Sequence, residues 1–230
     1  MKTKMISNLR FAAYACLLAG TTYVLIVICA MFSPDSIASY VASDTYFKDF
    51  ESYRMIFIVL KSLMMISNMA MIAVVMAFYA LRRDENEGPM AWISIMAIIG
   101  YAVGMLQSVE DMTQVPYLAS QYATASVALK QAIIAFGVAN PMIYILSLGL
   151  PGIWFLFVSW KALSNQQIPK GLIILGFLWG IGNILTVIAH ALVILPLIKL
   201  VAVGALVFAP LWSIYEAIFL FQTIKKLSSS

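Results

Sequence analysis

The chain has few charged residues, one histidine and two cysteines, and each of these shortages excludes a class of protein or site. Only 10% of its 230 residues are charged and 63% are hydrophobic, which leaves too little polar surface to cover a soluble globule. A single histidine, His190, cannot supply the several ligands of a metal-dependent hydrolase, so we expect no metal site. The two cysteines, Cys16 and Cys29, lie about three and a half turns apart in one apolar run, too far apart for a mutual disulfide.

Motifs of common enzyme chemistry are missing as well. The sequence has no HExxH, no G-x-S-x-G, no paired-carboxylate motif and no glycine-rich phosphate loop. These absences disfavour catalysis, although they leave open an intramembrane mechanism based on a serine or a glutamate. We therefore expect a non-enzymatic protein that needs no cofactor.

Long apolar runs, in contrast, fill most of the chain. A helix needs about 20 mostly apolar residues to cross the hydrocarbon core of a bilayer. Six runs approach or exceed this length, at residues 11–32, 55–81, 90–108, 132–163, 171–195 and 197–223. They predict an all-α integral membrane bundle of six helices that forms a single transmembrane domain over residues 1–230.

Basic residues predict the orientation of this bundle, because they collect in cytoplasmic loops near the span ends. A cytoplasmic amino terminus places most of them inside: Lys2, Lys4, Arg10, Arg82, Arg83, Lys161, Lys170, Lys225 and Lys226. The outside then receives Lys48, Arg54, Lys130 and Lys199. Both termini are predicted to be cytoplasmic, and the first run, which is too long for a signal peptide and lacks a clean cleavage site, is predicted to be an uncleaved span.

The connections are predicted to be short, apart from two outer loops at Ser33–Tyr53 and Val109–Gln131, of which the first has room for a short interfacial helix and the second contains an alanine-rich, helix-prone stretch. The fourth run is too long for one untilted crossing and contains Pro141 and Pro151. Because proline removes a backbone hydrogen bond and clashes with the preceding turn, we expect either a kinked helix or a short surface helix that leads into the span.

Small and polar residues recur on one face of the fifth and third runs. On the fifth run this face carries Gly176, Gly180, Asn183, Val187 and His190. On the third run it carries Gly100, Gly104, Gln107 and Asp111. Glycines four apart let another helix approach closely, so we expect these faces to pack together or against a common neighbour.

Polar residues of the second, third and fifth runs would share a similar depth near the outer end. Lys61 and Asn68 lie seven residues apart and therefore share a helix face. Two environments are open to Lys61: it forms an ion pair with Glu110 or Asp111, or it extends to the outer lipid headgroups. The ligand-binding candidates in this predicted outer pocket are Lys61, Asn68, Gln107, Glu110, Asp111, Asn183 and His190. His190 has an equally ordinary interpretation as an interfacial histidine.

Glu216 is a further candidate, about two turns from the inner end of the last run. A carboxylate at this depth should face the bundle, where it either takes part in function or makes a structural hydrogen bond to a neighbouring helix. Hydroxyl and indole donors surround it in the segment Pro210-Leu211-Trp212-Ser213-Ile214-Tyr215-Glu216.

Several short segments carry a family resemblance. They are Ala19-Gly20-Thr21-Thr22-Tyr23, Phe78-Tyr79-Ala80-Leu81-Arg82, Ile168-Pro169-Lys170-Gly171, and Pro210-Leu211-Trp212 with Glu216. With these segments the chain resembles, over nearly its whole length, the bacterial multi-pass membrane proteins of domain of unknown function 4386. The resemblance implies a bacterial inner-membrane protein and brings no reaction and no functional residues.

The leading functional hypothesis is therefore a membrane-embedded binding, transport or accessory protein for a small apolar or amphipathic molecule. Its partners would be the lipid bilayer and that ligand rather than nucleic acid. A membrane-integrated enzyme acting on a lipid or isoprenoid is the first alternative, with Glu216, His190 and Glu110 as candidate acids or bases. A structural partner subunit is the second. Transport predicts a continuous polar path, and an enzyme predicts a closed pocket with converging ionisable groups.

Overall fold

The computed structural model describes residues 2–34, 43–82, 87–136, 141–164, 168–192 and 194–229. Seven α-helices make up nearly all of these residues. The helices are α1 Lys2–Met31, α2 Asp44–Arg82, α3 Glu87–Thr124, α4 Val127–Phe136, α5 Pro141–Ala162, α6 Lys170–Ala191 and α7 Leu195–Ser229. No strand occurs within these ranges. Every helix except α4 is long and apolar enough to cross a membrane, which confirms the prediction of six spans.

Prolines mark several helix starts, because the first turn of a helix does not need their missing N–H group. Pro89 lies in the first turn of α3, Pro141 begins α5, and Pro169 directly precedes α6. The fourth predicted run contains the short helix α4, which ends at Phe136, and the span α5, which begins at Pro141; residues 137–140 lie outside the described residues. Pro151 lies inside α5 without ending it.

The two predicted outer loops are largely helical. Helix α2 begins at Asp44 and α3 continues to Thr124, so residues 44–53 and 109–124 extend the two spans as continuous helix rather than forming separate short helices. Residues 35–42 of the first loop lie outside the described residues. The 39 residues of α2 extend over about 58 Å at about 1.5 Å each, roughly twice the ~30 Å of a hydrocarbon core. Helix α2 is therefore longer than one crossing of the hydrocarbon core requires.

The six long helices form a closed ring. Each packs against the next one in chain order, with the short α4 left out, and α7 returns to pack against α1. The rings of Tyr14 and Phe221 meet edge-on with their centroids 5.4 Å apart, and Gly20 lies against Ser213, so α1 and α7 run antiparallel. The first and last helices thus bring both chain ends to one end of the ring, here called the terminal end. The opposite end, where α2 begins and α3 ends, is called the loop end.

Aromatic side chains fill the centre of the ring. This aromatic core consists of Tyr23, Phe78, Trp154, Phe155, Trp179 and Trp212. It joins helices that are not neighbours in the ring: Tyr23 of α1 meets Trp179 of α6, and Phe78 of α2 meets Trp154 of α5, each pair with its centroids 5.6 Å apart. Because Trp154 is 0% exposed, this part of the centre is packed rather than open.

A second apolar cluster lies at the loop end, where α2 and α3 project from the ring. This extension cluster consists of Tyr46, Phe47, Phe50, Phe57, Val115, Ala119, Tyr122 and Ile133. The hydroxyl of Tyr122 also donates a hydrogen bond to Asp44 Oδ1 at 2.6 Å, which ties the end of α3 to the start of α2. The projecting segments therefore have an apolar core of their own, to which α4 contributes Ile133.

Candidate functional site

A pocket lies between the aromatic core and the terminal end, among α2, α5, α6 and α7. Its enclosed space is small, about 30 Å³, which is room for one or two water-sized groups, and the wider hollow of roughly 370 Å³ includes the open mouth. Phe78, Phe155 and Trp212 of the aromatic core line it, and most of its other lining residues are aliphatic. The polar exceptions on its walls are Ser159, Trp212 and Glu216, and we call it the Glu216 pocket.

Glu216 is the ionisable side chain of this pocket, and it is 4% exposed. The first turn of α6 lies at the same level, since a Cβ placed on Gly171 would be 3.3 Å from a ring carbon of Tyr215. An anion near a helix amino terminus is favoured by about 0.3–1 kcal/mol, because the helix dipole is positive there. Pro169, the residue before this helix, offers no side-chain cap. Leu172 and Ile173 in the first turn of α6 line the pocket together with Glu216, so this positive end of the helix borders the same pocket.

Gly176 of α6 determines how closely the other two polar groups of the pocket approach this helix. A Cβ at Gly176 would clash with Ser159 Oγ of α5 and would lie 3.3 Å from Trp212 Nε1 of α7. Trp212 and Glu216 are one turn apart on α7, a spacing that places both on one helix face. A hydroxyl, an indole N–H and a carboxylate thus line one small pocket, contributed by α5 and α7.

A second polar arrangement lies at the loop end, on the interface between α2 and α3. Lys61 Nζ donates a hydrogen bond to Asp111 Oδ2 at 2.5 Å, and the two side chains are 4% and 16% exposed. The Lys61 ammonium also lies over the ring of Phe57, 5.5 Å from its centroid. Lys61 is therefore paired rather than extended to the headgroups. The other proposed partner, Glu110, is exposed and accepts a hydrogen bond from Gln114.

Two further predicted residues lie on the same α2–α3 interface. Gln107 is buried one turn before Asp111, at 8% exposure. Asn68 lies over Gly104, with its amide nitrogen 3.1 Å from where a Cβ on that glycine would be. These residues continue the polar interface from the ion pair toward the middle of the ring.

The candidate residues of the fifth span, Asn183 and His190, lie on α6 and not on the α2–α3 interface. Asn183 is buried, and its Cβ is 3.0 Å from where a Cβ on Gly152 of α5 would be. His190 is half-buried, with Nδ1 2.8 Å from the carbonyl oxygen of Thr186 in its own helix. Because α6 packs between α5 and α7, the structure divides the predicted outer-pocket residues between two separate helix interfaces.

The glycine faces of the third and fifth spans have a common neighbour in α5. A Cβ at Gly100 would lie 2.5 Å from Pro151 Cδ, and one at Gly180 would lie 2.9 Å from Leu156 Cγ. Gly176 faces α5 through Ser159, whereas Gly104 faces α2 through Asn68. Helix α5 therefore packs closely between the glycine faces of α3 and α6.

Sequence reasoning missed Ser159 and the aromatic core. Ser159 stands alone in an apolar stretch, so neither spacing nor polarity distinguishes it from an ordinary serine of a membrane helix. The core aromatics lie on five different helices, and only their three-dimensional arrangement brings them together. Among the described residues no group of three or more His, Cys, Asp or Glu side chains is placed to hold a metal ion.

Comparison with known proteins gives a family match and adds no activity. The family described as Domain of unknown function (DUF4386) matches residues 18–222, a stretch that holds every residue of the Glu216 pocket. No curated protein and no solved structure matches the chain.

Proposed function

Because this chain belongs to the family of domain of unknown function 4386, whose description assigns no activity, we propose a function from the Glu216 pocket itself. The protein binds the polar end of a small amphipathic molecule from the bilayer in this pocket, without chemical conversion, in the cytoplasmic membrane of a bacterium. The observation that carries this proposal is an apolar pocket with a carboxylate, a hydroxyl and an indole on its walls. Apolar walls with a few oriented polar groups are typical of small-molecule sites.

The packing of the ring centre favours binding over transport. A transport path would connect the polar α2–α3 interface at the loop end with Glu216 near the terminal end. The aromatic core lies between them, and its members Phe78, Phe155 and Trp212 form part of the pocket wall. This arrangement supports a pocket that holds its ligand at one end of the ring.

The distribution of ionisable groups favours binding over catalysis. An enzyme acting on a lipid or isoprenoid would need an acid and a base close together. Among the described residues that line the pocket, Glu216 is the one ionisable side chain. The other two candidates lie apart from it, His190 in the last turn of α6 and Glu110 exposed on α3.

The orientation of the protein in the membrane is part of the same proposal. The terminal end carries the exposed basic residues Arg10, Lys170, Lys225 and Lys226, and basic residues mark the cytoplasmic side of membrane proteins. Both chain termini are then cytoplasmic, and the Glu216 pocket lies toward the inner leaflet.

Equilibrium binding of radiolabelled octanol tests this proposal on the full chain in nanodiscs, with empty nanodiscs as the background. We expect saturable binding that Glu216→Gln weakens about tenfold, because hydrogen bonds to charged groups contribute about 1.5–3 kcal/mol. Glu110→Gln, a matched change of an exposed carboxylate, should leave binding unchanged. Ala162→Phe, which introduces a bulky side chain into the pocket wall, should abolish binding. Equal binding by the wild type and Ala162→Phe would contradict the proposal.

A further inference from the structure

The geometry of the terminal end points to a binding site for the phosphate of an anionic lipid, formed by Lys161 of α5 and Lys170 of α6. This site is separate from the Glu216 pocket, and it goes beyond the proposed function without depending on it. It rests on the place of the two lysines, on the pairing of charges at the two ends of the ring, and on the apolar face of α5 that leads to Lys161.

Both lysines lie where a membrane span ends. Lys161 is in the last turn of α5, whose apolar span ends at Ala162, and Lys170 is the first residue of α6. Only residues 163–169 connect the two helices, so both lysines lie at the same membrane boundary. Basic residues at this depth attract the negatively charged headgroups of anionic lipids.

Aromatic rings hold the ammonium group of Lys161 at the surface of α5. Its nitrogen lies 4.9 Å from the centroid of the Trp160 ring and 5.9 Å from that of the Phe157 ring. A cation over an aromatic face is attracted by the ring quadrupole, so this lysine is kept beside Trp160. Trp160 is itself exposed, as is common for tryptophan at the boundary of a membrane.

The two ends of the ring differ in how their basic residues are paired. At the loop end three basic residues have acidic partners within the protein, in the pairs Lys48–Asp44, Arg54–Glu51 and Lys61–Asp111. Within the described part of the chain, neither Lys161 nor Lys170 forms an ion pair with an acid. Positive charge at the terminal end is therefore left for an anion from outside the protein.

An exposed apolar face of α5 leads to Lys161. Leu146, Ile153 and Trp160 follow one another at steps of seven residues, which places them on one helix face, and all three are exposed. A lipid whose acyl chain lies along this face has its phosphate beside Lys161. A water-soluble phosphate compound would leave the face unused, so a lipid is the source of the anion that fits both parts of the site.

Quenching of tryptophan fluorescence by brominated lipid tests this site. Trp92 and Trp160 are exposed and the other three of the five tryptophans are buried, so in Trp92→Phe lipid can reach Trp160 alone. This variant is placed in vesicles of phosphatidylglycerol and phosphatidylcholine in equal amounts, with the acyl chains of one or the other lipid brominated. We expect phosphatidylglycerol to be enriched about 25-fold beside Trp160, since each lysine near an anionic headgroup contributes about fivefold.

Substitution of the lysines tests the assignment of the residues in the same Trp92→Phe background. Lys161→Gln and Lys170→Gln should each lower the enrichment about fivefold, because each removes one positive charge. Lys161→Arg keeps the charge and should retain the enrichment. Lys48→Gln is the matched control, because it removes an exposed charge at the loop end and should change nothing at Trp160.

Three results would overturn the inference. The first is equal quenching of Trp160 by the two brominated lipids. The second is the same loss of enrichment in Lys48→Gln as in Lys161→Gln, which would reflect the overall charge of the protein. The third is an enrichment that inorganic phosphate abolishes and sodium chloride of equal ionic strength does not, because the site would then bind free phosphate rather than lipid.

Discussion

Lys61 and Asp111 form an ion pair at the point where α2 and α3 leave the ring. The ammonium nitrogen lies 2.5 Å from the carboxylate oxygen, on residues 50 positions apart in sequence. Phe57, which lies under the ammonium group, belongs to the extension cluster. The pair therefore joins the packing of the ring to that of the projecting segment.

Breaking this pair on one side should destabilise the protein. Lys61→Met leaves the Asp111 carboxylate without its partner in a largely buried place. Removing one member of a buried pair costs about 3–5 kcal/mol, and we expect the lower end because Asp111 is 16% exposed. Unfolding in increasing SDS, followed by circular dichroism, measures the change.

The double variant Lys61→Met with Asp111→Leu is the control for that experiment. Replacing both charges by apolar groups removes the unpaired charge, so most of the lost stability should return. A double variant as unstable as the sum of both single variants would contradict the view that Lys61 and Asp111 act on each other.

Phe50→Ala should loosen the extension cluster and leave the ring intact. Phe50 is 0% exposed, and truncating a buried phenylalanine costs about 3–5 kcal/mol. Hydrogen exchange should therefore accelerate at the start of α2 and the end of α3. Met55→Ala on the same helix is the control, because Met55 is 72% exposed. Equal exchange in both variants would show that the projecting segment does not depend on this cluster.

Gly100→Ala should separate α3 from α5. A Cβ at Gly100 would lie 2.5 Å from Pro151 Cδ and 2.9 Å from the carbonyl oxygen of Leu146, and neither atom belongs to a flexible side chain. Overpacking of this kind costs about 1–3 kcal/mol. Gly182→Ala should instead gain up to about 1 kcal/mol from its higher helix propensity, since its Cβ meets nothing within 4 Å. Thermal unfolding in detergent should give shifts of opposite sign, and shifts of the same sign would contradict this packing.

Single cysteines test the proposed orientation. In a background with Cys16 and Cys29 replaced by alanine, Lys48→Cys marks the loop end and Lys225→Cys marks the terminal end, and both positions are exposed. A membrane-impermeant maleimide added to whole cells should label position 48 only. Label at position 225 instead would reverse the orientation and move the Glu216 pocket to the outer leaflet.

Most of the ring could be predicted from the sequence because a span must be apolar along its whole length. Six runs therefore gave six helices, and the span of the fourth run begins at Pro141. The helix ends could not be predicted in the same way. The segment from Asp44 to Tyr53 is polar enough to leave the hydrocarbon, yet it remains helical because Phe47 and Phe50 pack in the extension cluster.

The candidate site, like the fold, could be predicted from the sequence only in part. Glu216 was identifiable because a carboxylate inside an apolar run is rare and needs an explanation. Ser159 was not identifiable, since its significance lies in its position opposite Gly176 on another helix. The Lys61–Asp111 pair lies between these cases: the charges limited the partner to two acids, and only the helix geometry selected Asp111.

The closed ring also sets an order of assembly. Helix α1 is the first to be synthesised and α7 the last, yet they are neighbours and share one interface. Until α7 is made, the side of α1 that packs against α7 has no partner, and Trp212 is missing from the centre of the ring. The Glu216 pocket is then also incomplete, because α7 supplies both Trp212 and Glu216. A chain that stops before α7 would therefore lack both the closing interface and the binding site, so ligand binding would report that synthesis had reached the last helix.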